Sequence, residues 1–263
     1  MSSLLIDRAR RWRKWWPVPA AMAALIAFAF VTISRERVQA GILRADPDAI
    51  LADATLRPLA LRWGAEVFAS HCAACHGAGG AGDSTVGAPN LTDADFLYGQ
   101  GRATEIEQIV RHGIRSRDPR GFSLASMPAY ATVRPDLTEP LPPLTPREIE
   151  EVTQYVLAFS GHATDPAPAS RGGVLFGAKA GCWDCHSEDA RGDSAIGAPD
   201  LADGSWLYGD GSHDSIRRSI AYGRAGMSPA FKDLLSAAQI RDVSIFVASL
   251  APPPSAAPPH RGK

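Results

Sequence analysis

Cys72–Gly101 reads CAACHGAGGAGDSTVGAPNLTDADFLYGQG, and 110 residues later Cys182–Gly211 reads CWDCHSEDARGDSAIGAPDLADGSWLYGDG. The two stretches align without a gap, and fifteen of their thirty positions are identical. Self-similarity at one fixed offset marks a duplicated structural unit; a period this long fits two tandem domains, because solenoids need short repeats and at least three of them. Outward from each stretch the apolar spacing is helical. Leu61, Ala65, Phe68, Ala69 and Cys72 line one face over Leu59–Cys75, Ile106, Ile109 and Val110 do so over Thr104–His112, and Ile149, Val152, Val156 and Phe159 form a stripe over Thr145–Ser160. The second copy offers counterparts at Val174–Cys185, His213–Tyr222 and Ser236–Leu250. No convincing period-two alternation occurs, so an all-α protein is expected.

The chemistry lies in Cys72-Ala73-Ala74-Cys75-His76 and Cys182-Trp183-Asp184-Cys185-His186, both of which match the c-type haem attachment pattern. Two cysteines three apart at a helix end share a face and can form thioethers to both vinyl groups of one haem, with the adjacent His directed at the iron. A zinc site would require both pairs to converge, and redox CxxC pairs are not regularly followed by His in duplicated helical domains. Two haems c are therefore expected, on Cys72 and Cys75 and on Cys182 and Cys185, with His76 and His186 as axial ligands. Apart from Met1 and Met22, which lies in an apolar N-terminal run, the methionines are Met127 and Met227, one downstream of each motif and each close to a proline. Both are expected as second axial ligands, since Met is a common partner that raises the reduction potential. Pro89 and Pro199 in the two Gly-Ala-Pro turns are candidates to accept the other ring N–H of each His. Tyr98, Trp206 and Tyr208 either cover haem edges or fill core. His112 and His213 do not align in the repeat and read as surface or supporting groups; Arg111, Arg115, Arg117 and Arg120 read as a solvated basic loop. No catalytic acid, base or nucleophile is named.

Composition narrows the class. The 263 residues carry 27 Lys+Arg against 28 Asp+Glu and are 45% hydrophobic, which argues against a basic nucleic-acid-binding scaffold and against a disordered chain. Val18–Ile33 (VPAAMAALIAFAFVTI) is nearly all apolar and follows Arg8, Arg10, Arg11, Arg13 and Lys14. That pattern predicts one membrane anchor with a cytoplasmic N-terminus, Trp12, Trp15 and Trp16 at the interface, and the bulk of the chain exported to the periplasm. A signal peptide cut near Ala40 is the alternative. The expected layout is an anchor over 1–40, a linker over 41–58, a first domain over 59–161, a linker over 162–170, a second domain over 171–250 and a Pro-rich tail over 251–263. Gly161–Gly173 (GHATDPAPASRGG) has the composition of a connecting segment.

The stretches EIEQIVRHGIRS, MPAY, LTPREIEEVTQYVLAFSG and GAPDLADGSWLYG, together with the downstream Met, resemble the diheme subunit III of cbb3-type cytochrome c oxidases over roughly residues 60–250. The resemblance implies an N-terminal transmembrane helix followed by two tandem class I cytochrome c domains, with His76/Met127 and His186/Met227 as axial pairs. It implies a non-catalytic electron-transfer subunit partnered by a haem–copper catalytic subunit and a monohaem c subunit, with a soluble cytochrome c or a quinol–cytochrome c reductase as donor. The residues by themselves also admit a free-standing membrane-anchored diheme carrier.

Overall fold

The structure is a computed structural model that describes residues 17–135, 140–162 and 164–252. The basic and Trp-rich residues before 17, and the Pro-rich tail from 253, lie outside the described residues. The chain divides into two compact units, Met1–Ala45 and Asp46–Lys263.

The first unit is the helix α1 (Pro17–Arg44). Its 28 residues, at about 1.5 Å each, span about 42 Å, more than a hydrocarbon core of about 30 Å requires. Leu25, Ile26, Phe28, Phe30 and Val31 are all exposed along it, and its Pro19–Arg44 portion is apolar enough to cross a membrane. The helix runs past the anchor boundary expected at 40, because the first proline after it is Pro47.

The second unit is a set of short helices: α2 (Pro47–Ile50), α3 (Arg57–His71), α4 (Ala73–His76), α5 (Ala103–His112), α6 (Pro146–Phe159), α7 (Pro166–Phe176), α8 (Trp183–His186), α9 (His213–Tyr222) and α10 (Ala237–Ala248). Among the described residues no sheet forms; backbone pairing outside helices is confined to isolated bridges. Local sequence explains the starts. Thr145 with Glu148 opens α6 and Ser236 with Gln239 opens α10 as capping boxes, each side chain satisfying a backbone N–H that the helix leaves unpaired.

Two expectations are corrected here. The stretch read as a connection over 162–170 is helical from Pro166: Asp165 accepts from the Ala167 N–H, and proline is tolerated in a first turn because its missing N–H would be unpaired there anyway. The helix expected over Val174–Cys185 is instead broken by the turn 177–182, where Gly181 adopts φ +65°.

The two halves exchange their closing segments. α3 packs on α10, which also covers α5, whereas α7 packs on α6, which also covers α9. The crossings are close enough to require glycine. A Cβ on Gly64 of α3 would lie 2.2 Å from the Asp242 carbonyl oxygen of α10, and one on Gly172 of α7 would lie 1.9 Å from that of Glu151 on α6. An ion pair ties each exchange: Arg241 Nε lies 2.6 Å from Glu107 Oε2 across α10 and α5, and Arg171 Nε 2.5 Å from Glu151 Oε1 across α7 and α6. The first core accordingly joins Val67 and Phe68 to Leu235, Ile240 and Val243, and the second joins Ile149, Val152 and Val156 to Phe176, Ile216 and Ile220. The divisions 59–161 and 171–250 are thus units of sequence. The packed bodies combine residues 57–112 with 227–250, and residues 127–159 with 166–222.

Candidate haem sites

Each CxxCH motif closes in a single helical turn. α3 ends where Cys72 turns to φ −116°, α4 carries Cys75 and His76, and the turn stops at Gly77 with φ +75°. In the second copy Cys182, at φ −66°, precedes α8, which stops at Ser187, at φ +64° although it is not glycine. All four thiols are free. Burial pushes Cys72 and Cys182 up to about 11, so both stay protonated thiols at neutral pH.

Beyond each histidine the chain folds back to hold the ring. The Gly82 N–H donates to the His76 carbonyl and the Leu91 N–H to that of Gly80, at 2.9 and 2.7 Å; Gly192 and Leu201 donate to His186 and Ala190 at the same distances. This brings the Pro89 carbonyl oxygen within 3.1 Å of His76 Nδ1 and the Pro199 carbonyl oxygen within 3.0 Å of His186 Nδ1. A carbonyl only accepts, so Nδ1 carries a proton, and in the neutral ring Nε2 keeps the lone pair that an axial ligand needs. Burial also lowers the His186 pKa, against the opposing pull of the Pro199 bond, which favours the same neutral ring. Paired thiols beside an imidazole whose Nδ1 is held by a carbonyl form a donor set that fits haem c, and Met127 packs on the same core as Cys182.

The methionine segments lie where the exchange puts them. Met127 pairs with Arg224, each donating its N–H to the other's carbonyl at 2.9 and 3.1 Å, just beyond α9, and its side chain packs on the second core with Cys182, Leu201 and Trp206. Tyr130 follows at 5% exposure, donating its N–H to Ile220. Ser228, next to Met227, pairs in the same way with Ile114 just beyond α5, at 2.9 and 3.0 Å, and the Phe231 N–H donates to Val110. Met227 itself is 67% exposed. The turns Gly113 and Gly223 make room for these segments: a Cβ on Gly223 would lie 2.5 Å from the Met127 carbonyl oxygen, and one on Gly113 would lie 2.4 Å from that of Ser228.

The tyrosines of the two LYG segments pack across the repeat. Tyr208 lies against Gly87 of the first Gly-Ala-Pro turn and Tyr98 against Gly197 of the second, while Gly209 and Gly99 donate backbone N–H groups to Ser84 and Ser194. The same approach gathers carboxylates: burial, then Asp203, Asp93 and Asp200, push Asp95 up to about 6. Trp206 packs on the second core.

Other residues depart from their sequence reading. His112 is 4% exposed and donates from Nδ1 to Asp118 at 3.0 Å, so it is a buried structural group. Half-exposed His213 bonds Glu150 of α6 at 2.8 Å. Arg111 is paired to Glu107, and Arg115 is tied to backbone carbonyls of two segments, so the basic cluster is not simply a solvated loop. The exchange was missed in the sequence, where neither connection length nor helix pattern marks it. Residues 113–145 separate α5 from α6 and 223–236 separate α9 from α10, and both connections cross between the two bodies.

A family model described as cytochrome c oxidase, cbb3-type, subunit III matches residues 60–156, and one described as cytochrome c matches 169–251. The cbb3-type cytochrome c oxidase subunit CcoP of Rhodobacter capsulatus is 42% identical over 221 residues, covering 81% of this chain and 70% of that protein. The CcoP subunit of Cereibacter sphaeroides is 36% identical over 209 residues, covering 80% and 67%. The FixP subunit of Azorhizobium caulinodans is 38% identical over 195 residues, covering 74% and 61%.

Proposed function

This chain belongs to the subunit III (CcoP) family of cbb3-type cytochrome c oxidases, a membrane-anchored diheme cytochrome c subunit, and from that premise we propose how its residues hold the two haems c and serve electron transfer. Each haem, when bound, supplies a one-electron iron couple. Cys72 and Cys75 are the thioether residues of the first haem and Cys182 and Cys185 those of the second. His76 and His186 coordinate through Nε2, held in that tautomer by the Pro89 and Pro199 carbonyls.

The second axial ligands are crossed between the repeats: Met227 serves the iron of His76, and Met127 serves the iron of His186. The axial pairs His76/Met127 and His186/Met227 implied by the family resemblance are replaced in this reading. The observation that carries the crossing is the backbone pairing of the Met127 segment onto the end of α9 and of the Met227 segment onto the end of α5. A thioether sulfur is a weak, neutral donor that favours the reduced iron, which suits both sites to accepting electrons from a cytochrome or quinol-oxidising donor. Tyr98 and Tyr208, with the Gly99 and Gly209 backbone bonds to Ser194 and Ser84, hold the two sites together.

The relatives are subunits of a cbb3-type oxidase, and this chain joins the other subunits of such a complex. Its haem-bearing part lies on the periplasmic face, passing electrons toward a haem–copper subunit beside a monohaem c subunit, with a soluble cytochrome c or quinol–cytochrome c reductase upstream. The ligand assignment is tested in the full chain, in detergent, with Cys182→Ala/Cys185→Ala leaving the first haem alone. Adding Met227→Ala should then abolish the Fe–S charge-transfer band and adding Met127→Ala should leave it. The reverse outcome overturns the crossing, and recovery from solubilised membranes without a haem–copper subunit overturns the partner assignment.

A further inference from the structure

Arg115 sits just beyond the α5 terminus, where its backbone takes φ +46°, a left-handed conformation rare for a residue with a side chain. That conformation is held by the Arg115 N–H donating to the Phe122 carbonyl at 2.8 Å and the Phe122 N–H donating to Gly113 at 3.0 Å. It turns a half-buried guanidinium toward two carbonyls distant in sequence. Nη1 donates to the Ala125 carbonyl at 2.7 Å, two residues before Met127, and Nε donates to the Gly226 carbonyl, adjacent to Met227. The Tyr208 ring closes on the same point: a Cβ on Gly226 would lie 2.7 Å from the Tyr208 hydroxyl, and the ring stacks on Arg224, the backbone partner of Met127, at 4.4 Å. Among the described residues no carboxylate forms an ion pair with Arg115.

We propose that Arg115 is a positioning residue for both haems: one guanidinium clasps the two methionine loops, so the sixth ligands of the two irons are set together. The inference rests on the crossed-ligand reading above, in which those loops serve different irons. Two consequences follow from the chemistry of the group. A planar guanidinium offers several donors in a fixed fork, so it can hold two carbonyls in one geometry, which a single ammonium cannot reproduce. Its charge, unpaired by a carboxylate among the described residues, disfavours Fe(III) at both sites and raises both midpoint potentials.

The test uses the full chain with both haems attached, by spectroelectrochemical titration and the Fe–S charge-transfer bands. Arg115→Met should weaken both bands and raise the ferric-to-ferrous ratio of both haems about tenfold at a fixed ambient potential, a shift of about 59 mV for one electron. Arg115→Lys keeps the charge and loses the fork, so it should recover the midpoints while both bands stay weak. If Arg115→Met does not accumulate with two haems, Arg115→Lys carries the test through the bands alone. Unchanged bands and midpoints, or a response at one haem only, overturn the clasp. The ligand reading fails separately: if Met127→Ala and Met227→Ala each leave both bands intact, the methionines are not the ligands, whatever Arg115 does.

Discussion

At the scale of single residues, the positions that matter are those where one side chain holds distant backbone. The Asp118 carboxylate, 1% exposed, takes a hydrogen bond from His112 and one from Lys232, whose Nζ lies 2.8 Å away on the returning Met227 segment. Those bonds, His112 first, hold Asp118 well below the usual carboxylate range. A carboxyl with a depressed folded pKa stabilises the fold above its unfolded value of about 3.9, and that contribution is lost as pH falls toward the folded value. Asp118→Asn should therefore lower the melting temperature at pH 7 and flatten its decline below about pH 4; parallel acid limbs in the two proteins would remove Asp118 from that role. The two CxxCH motifs were legible as residue types at fixed spacing, and the methionines as one near a proline downstream of each motif. Arg115 was not, because its role depends on carbonyls at 125 and 226 that only folding brings within reach.

At the scale of elements, helix existence was largely readable, since amphipathic spacing and capping residues are local properties. Partner choice was not. α6 and α10 both carry an apolar stripe behind a capping box, and either could have closed either half. What the structure adds is the pair of glycine crossings. In Gly64→Ala the methyl would meet Asp242 and Phe246 of α10, and in Gly172→Ala it would meet Glu151 and Tyr155 of α6. Each substitution overpacks a close crossing and should cost about 1–3 kcal/mol in urea unfolding of the haem-loaded chain. The location of the damage is the sharper prediction. Gly64→Ala should perturb the first haem, through α10 and the Met227 segment, and spare the second; equal damage at both sites would contradict the pairing of α3 with α10.

At the scale of the whole molecule, the exchange joins the described residues from 46 to 252 in one compact unit, in which a methionine segment from each half pairs its backbone with the other half. Domain exchange between duplicated units is inexpensive, because the exchanged elements make the same contacts that they would make at home. A protease site inserted at 161–165, between α6 and α7, should leave the two fragments associated and both Fe–S bands intact after cleavage under native conditions; fragments that separate on gel filtration would favour two self-contained domains. The sequence by itself determined the helical class, the duplicated unit, the two attachment motifs with their histidines, the methionine pair and the apolar anchor. All of these are recorded in residue type and spacing along one stretch of chain. Only the tertiary structure decided which methionine segment lies beside which motif, that 166–176 is a helix packed on α6, and that Arg115 joins two loops. Two nearly equivalent closing segments compete for two nearly equivalent cores, and the choice between them rests on contacts such as Arg115 with Gly226 and Arg241 with Glu107, which no local pattern encodes.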